Sequence, residues 1–263
     1  MMKMTGTTIC GLLYEDGVIL GADTRATMKD ASGSSILIDH NCSKINRLSE
    51  KIYCCGAGSA ADMKRLSGLV EANLECQFPK AHTDIPVICP VTMIKQTLYK
   101  YHGYLMCAFI IGGIDSAGGN QLFSIFQHGS SHGHKFCAMG TGLQPAMGIL
   151  EAGWKENLSE KEGLTLMVDA IKAGILYDLG SGSKVDVTII RKNGQVSSYK
   201  PYKVLSDRMP KCVQCIIPLG TTKVLSTQVI PIEKKPSEGK KRKHGIDDSG
   251  DGPRSKMLKS IQS

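Results

Sequence analysis

The strand-like runs of this sequence come in groups instead of alternating with helices, and that grouping is the strongest constraint on its fold. Thr7 to Tyr14 and Val18 to Thr24 are β-rich runs around Glu15-Asp16-Gly17, the pattern of a hairpin with a tight turn. After a polar segment, Met28 to Ser35, a second strand pair is expected at about 42–48 and 51–56. From Ala60 the period changes: Met63, Leu66, Leu69, Val70 and Leu74 recur at helical spacing to about Gln77, and a second helix fits Val91 to Tyr101. Strands are then expected at about 106–114, 121–127 and 135–139, helices at 142–154 and 160–177, and strands at 185–191 and 195–200. A parallel sheet needs a crossover, usually a helix, between successive strands. The grouped order argues instead for stacked antiparallel sheets with helices outside, an α+β fold.

Composition removes several classes of function. Of 263 residues, 41% are hydrophobic, enough to bury a full core. The longest clean apolar run, Leu105 to Ile111, falls well short of the ~20 residues of a membrane-spanning helix. Met1 to Gly6 is too short and polar for a secretory signal. The formal charge is +8, but from Glu233 onward nine Lys or Arg face five acids, so half of it sits in the last 31 residues. That segment is nearly free of apolar residues and is expected to be a disordered basic tail (233–263). Within it, Lys240-Lys241-Arg242-Lys243 has the form of a nuclear-localisation or polyanion patch. The body carries no nucleic-acid signature. The ten cysteines are irregularly spaced and mostly inside apolar runs, as in a reduced intracellular chain. Cys212-x-x-Cys215 lacks a second pair at zinc spacing, so no metal site is expected.

The chemistry is suggested first by Gly6-Thr7-Thr8, directly before the first strand. Were the Gly6–Thr7 bond cut, Thr7 would carry both a hydroxyl and a free α-amine. A threonine hydroxyl holds its proton far above neutral pH. An adjacent terminal amine, with a pKa of roughly 7.7–8.0, can accept that proton. Gly56-x-Gly58-x-x-Ala61, between a strand and a helix, also matches a dinucleotide-binding fingerprint. That reading requires a parallel strand about 30 residues on, ending in an acid. Here the helix runs into Pro79 and a second helix follows.

Three further segments complete a pattern: Gly21-Ala-Asp23-Thr-Arg25-Ala-Thr27, Asn41-Cys-Ser-Lys44-Ile, and Tyr53-Cys-Cys-Gly56-Ala-Gly58-Ser-Ala-Ala-Asp62. Gly140-Thr-Gly142 and Tyr177-Asp178-Leu-Gly-Ser181-Gly-Ser183 follow in order. Over about residues 5–232 the chain resembles the catalytic beta subunits of the proteasome core particle, which are N-terminal nucleophile hydrolases, and most of all their trypsin-like (beta-2-type) class. The resemblance implies a four-layer α-β-β-α sandwich of two antiparallel sheets. It implies a threonine-type endopeptidase that degrades unfolded, ubiquitin-tagged proteins, without cofactor or metal, within stacked rings of alpha and beta subunits. Polypeptides are the implied substrates, the location is cytoplasm and nucleus, and no nucleic acid or membrane is involved.

Residue by residue, it implies self-cleavage between Gly6 and Thr7, removing residues 1–6 as a short propeptide and exposing Thr7 as nucleophile. Asp23 and Lys44 match the acid and lysine beside it, and Gly58 the residue whose N–H faces the oxyanion. Thr141, Asp178 and Ser181 match residues that orient the amine and the nucleophile. Ala26, Thr27, Cys42, Asn46, Gly56, Ala60 and Lys64 match substrate-binding positions. The catalytic domain is expected over 7–200, with a C-terminal arm over 201–232 that embraces a neighbouring subunit. Three departures stand out. Lys64 occupies a position where the class usually has an acid low in the pocket, which disfavours cleavage after basic residues. The segment Met28 to Asp39 is about five residues longer than usual, and Thr141 stands where the family has Ser. An inactive or altered-specificity structural subunit is the alternative reading.

Overall fold

The hairpin expected at the start forms β1 (Thr8–Tyr14) and β2 (Gly17–Asp23), paired antiparallel from Ile9–Ala22 to Tyr14–Gly17. The computed structural model describes residues 6–29, 35–78, 84–115 and 119–205, all within one compact unit. Residues 1–5 of the expected propeptide, 206–232 of the expected arm, the 233–263 tail, Cys212 and Cys215 lie outside the described residues.

The elements continue as β3 (Ala26–Lys29), β4 (Ser35–Asp39), β5 (Ile45–Arg47), β6 (Ile52–Gly58), α1 (Ala60–Gln77) and α2 (Ile88–Lys100). Then come β7 (Cys107–Asp115), β8 (Gly119–Ile125), β9 (Ser131–Gly133), β10 (Phe136–Gly140), α3 (Leu143–Gly153), α4 (Glu160–Tyr177), β11 (Lys184–Arg191) and β12 (Val196–Val204). One five-stranded sheet has the order β10-β1-β2-β11-β12 and the other β5-β6-β7-β8-β9, with every pairing antiparallel.

Alternation along the strands sorts the core into three layers. In β1 and β2, Ile9, Val18, Leu20 and Ala22 face the other sheet, meeting Ile45, Cys55 and Ile110. Cys10, Leu12 and Ile19 face the opposite way, onto Leu150, Met167 and Ile171 of α3 and α4. Beyond the second sheet, Cys54, Phe109 and Ile111 pack on Leu66, Val70, Ile94 and Leu98 of α1 and α2. The result is the four-layer α-β-β-α sandwich, and it explains why β2 is buried along its whole length.

Several boundaries differ from the sequence reading. The polar segment Met28 to Ser35 overlaps a separate two-stranded ribbon, β3–β4. Its apolar residues Ile36, Leu37 and Ile38 are all exposed, so no one-sided alternation marks it. Ser131-His-Gly133 forms a short edge strand with no apolar residue to signal it. α2 starts at Ile88, with Pro90 in its first turn, where a missing N–H costs nothing. β12 runs to Val204, so residues 201–204, expected to open the arm, belong to the sheet.

Candidate active site

Four strand ends meet at one edge of the sandwich. The start of β1 lies opposite the end of β10 (Thr8–Gly140), and the end of β6 lies opposite the start of β7 (Gly58–Cys107). Thr7 sits at this junction, buried, one residue before β1. Its hydroxyl donates to the Gly6 carbonyl oxygen at 2.8 Å. The Lys44 ammonium donates to the same oxygen at 3.1 Å. The Gly6 N–H is held by Thr27 Oγ1 at 3.0 Å, and the Thr7 N–H by Thr141 Oγ1 at 3.0 Å. Both sides of the Gly6–Thr7 peptide bond are therefore fixed.

Glycine is required before Thr7 because the backbone of Gly180 passes against it: a Cβ on Gly6 would lie 2.1 Å from the Gly180 Cα.

The Lys44–Asp23 pair is the electrostatic centre. Its N–O distance is 2.7 Å and both side chains are buried. Asp23 also accepts N–H bonds from Thr8 at 2.8 Å, Gly182 at 3.1 Å and Arg25 at 3.2 Å. Burial pushes the carboxyl above its ordinary value, while Lys44 and the Thr8 and Gly182 N–H groups pull it back. All four of these partners are donors, so a proton on Asp23 would displace one of them. The site is built for the carboxylate.

On the other side of Thr7, Thr141 Oγ1 also donates to Asp178. Asp178 is pinned by the Ser181 hydroxyl at 2.6 Å and the Gly180 N–H at 3.0 Å. Ser181 Oγ reaches the Thr8 hydroxyl at 2.7 Å. Asp178 and Ser181 are thus linked to Thr7 by hydrogen bonds through Thr141 and to its neighbour Thr8. Thr8 is a residue the sequence reading missed, and its signal was only its place beside Thr7.

Gly58, φ +124°, ends β6 just before α1, and a Cβ there would lie 2.1 Å from the Met106 carbonyl oxygen. Glycine is thus required at the turn that faces the strand junction. The helix N-terminus behind it favours negative charge nearby.

The expected substrate-binding residues are less gathered. Thr27 and Cys42 flank the Thr7 side: Thr27 holds Gly6, and Cys42 N–H donates to Thr24 O at 2.9 Å. Ala26 opens β3, Asn46 lies opposite Cys54 in β5–β6, and the Gly56 N–H donates to Lys44 O at 3.1 Å. Ala60 is the exposed first residue of α1. For Lys64 the structure gives a place on the solvent side of α1. Helical period puts Met63, Leu66 and Val70 on the buried face of α1 and leaves Lys64 exposed. It is Met63 that packs on Gly56, where an added Cβ would lie 2.4 Å from its sulfur.

A separate cavity of about 400 Å³ opens beside Thr7, bounded there by Gly58, Gly140 and Thr141. Burial pushes its two thiols, Cys107 and Cys137, up to about 12, which leaves both protonated and unreactive near neutral pH.

Comparison with known proteins finds relatives along most of the chain. Residues 3–190 match the family model described as Proteasome subunit. The chain is 41% identical over 231 residues to Proteasome subunit beta type-7 of Dictyostelium discoideum, covering 88% of this chain and 84% of that one. It is 38% identical to Proteasome subunit beta type-2 of Saccharomyces cerevisiae, covering 87% and 85%, and 40% identical to Proteasome subunit beta type-10 of Bos taurus, covering 88% and 82%. Matches of that length, over a sandwich of this layering, leave one assignment: the chain belongs to the proteasome subunit family, among its beta-type members.

Proposed function

We propose that the chain is a threonine-type endopeptidase subunit of the proteasome core particle that activates itself by cutting its Gly6–Thr7 bond. The observation that carries this reading is the pair of donors on the Gly6 carbonyl oxygen, Thr7 Oγ1 at 2.8 Å and Lys44 Nζ at 3.1 Å. In self-cleavage, Thr7 Oγ bonds to the Gly6 carbonyl carbon and the carbon–nitrogen bond breaks. The hydroxyl proton ends on the Thr7 nitrogen. Water then hydrolyses the ester, releasing residues 1–6 as a carboxylate. Lys44 stabilises the charge that develops on the oxygen.

The freed amine lies within reach of Thr141 Oγ1, which Asp178 orients. With a substrate, that amine takes the Thr7 hydroxyl proton as Oγ attacks, and passes it to the leaving amine. The Gly58 N–H faces the oxyanion, and water releases the acyl-enzyme. The reading includes assembly with other alpha and beta subunits, residues 1–6 as propeptide, an arm within 201–232, a basic tail over 233–263, and residence in cytoplasm and nucleus.

For specificity, Met63 against Gly56 and the exposed Lys64 favour an altered preference over cleavage after Lys or Arg. Mass spectrometry of the subunit in assembled particles tests the proposal. Its N-terminus should be Thr7, and Thr7→Ala should retain Met1 to Gly6. Retention in the unmodified chain would make the subunit structural. Fluorogenic peptides ending in Arg and in Leu, with Thr7→Ala particles as background, should show Leu turned over at least as well.

A further inference from the structure

The cavity beside Thr7 has no role in the self-cleavage just described. Its walls are apolar: Met106 and Phe126 on one side, and Met139, Leu143 and Met147 on the other. A polar pair sits in the same wall, Ser124 Oγ and His134 Nε2, 2.8 Å apart. The volume of about 400 Å³ falls within the range of small-ligand sites, ~300–1,000 Å³.

The uncleaved chain gives the cavity a direction, because its own Gly6–Thr7 bond is a peptide bond placed for attack. The acyl half, Gly6, lies against Thr27 and Lys44. The nitrogen half points at Thr141. Thr141 and Gly140 also form the rim of the cavity.

On the functional reading above, we propose that this cavity is a specificity pocket for the residue that follows the cleaved bond, and that it selects a large apolar side chain there. A Leu, Met or Phe side chain would rest among the methionines and Leu143, while the Ser124–His134 pair meets its backbone. Methionine side chains suit such a wall because they adjust to differently shaped apolar groups.

The test uses assembled particles carrying the full chain, with Thr7→Ala particles as background. The peptides share one sequence up to the cleaved bond and carry Leu, Met, Ala, Asp or Lys just after it. Leu and Met should exceed Asp by about 10–100-fold in kcat/KM, the usual value of one buried apolar side chain. Leu143 is 39% exposed, so Leu143→Asp should fold, and it should abolish the apolar preference and raise cleavage before Lys. Met147→Ala should shift the preference toward Phe. Equal kcat/KM for all five peptides, or a preference unchanged in Leu143→Asp, would overturn the pocket while leaving the endopeptidase reading intact. Cleavage indifferent to Thr7→Ala would overturn that reading, and the pocket with it.

Discussion

Replacing Lys44 by Met separates the two tasks its ammonium performs, because the substitution keeps most of the side-chain volume and removes only the charge. The first task is to neutralise Asp23 at 2.7 Å in a fully buried position. Removing one member of a buried pair strands the other, which typically costs about 3–5 kcal/mol. Three backbone N–H bonds to Asp23, from Thr8, Gly182 and Arg25, survive and place the expected loss at the lower end, about 3 kcal/mol. Without Lys44, the burial that already raises the carboxyl acts unopposed by its largest counterweight. A carboxyl raised above its unfolded value binds protons more tightly when folded, so it stabilises at low pH, and that stability fades as pH rises through the folded pKa. The gap between variant and parent should therefore narrow at pH 5 relative to pH 7.5, as read by urea denaturation of the full chain. The second task is to stabilise charge on the Gly6 oxygen at 3.1 Å. Loss of one such donor lowers a rate by about 10²–10³, and intact-mass time courses should show residues 1–6 leaving that much more slowly. A variant that sheds residues 1–6 at the parental rate, or unfolds within 1 kcal/mol of the parent at pH 7.5, would refute this account of Lys44.

Two further outcomes are expected. In Gly58→Ala, a Cβ 2.1 Å from Met106 O at φ +124° forces the turn to move. Strain of order 1–3 kcal/mol and at least about 10²-fold lower peptide hydrolysis should follow, by denaturation and steady-state assay. Glu162, bonded to Lys155 and closing the Ser159 capping box on α4, is lowered to about 2. Its contribution to stability is present above the ordinary carboxylate value and lost as pH falls from about 4.5 toward about 2. A carbon-13 titration of its carboxyl should show that midpoint, and Glu162→Gln should flatten this part of the acid limb.

Most of the sandwich was legible because its strands and helices each bury one well-defined face or two. α4 begins and ends where the apolar period does, and β1 and β2 sit where the turn residues put them. What escaped were elements without such a face. β3–β4 projects Ile36, Leu37 and Ile38 into solvent, so neither face leaves an alternating trace, and β9 consists of Ser, His and Gly. β12 crosses the expected end of the body because its exposed residues alternate no differently from those of an arm.

The site divides along another line. Thr7, Asp23, Lys44, Thr141, Asp178 and Ser181 were named from short motifs, and hydrogen bonds between pairs of them span up to 134 residues of sequence separation. Those bonds depend on strand ends whose register the hydrophobic pattern fixes, since a one-residue slip would turn each side chain to the other face. Side-chain direction on α1 is a different matter. Rotation along the helix, about 100° per residue, delivers Met63 to Gly56 and leaves Lys64 exposed beside it in sequence. The buried run Met63, Leu66, Val70 and Leu74 already fixed that rotation in the sequence. The same rotation limits any specificity inferred from position alone. On the endopeptidase reading proposed above, the thioether on Gly56 and the lysine in solvent together disfavour a basic substrate side chain, the lysine by charge and the sulfur by volume.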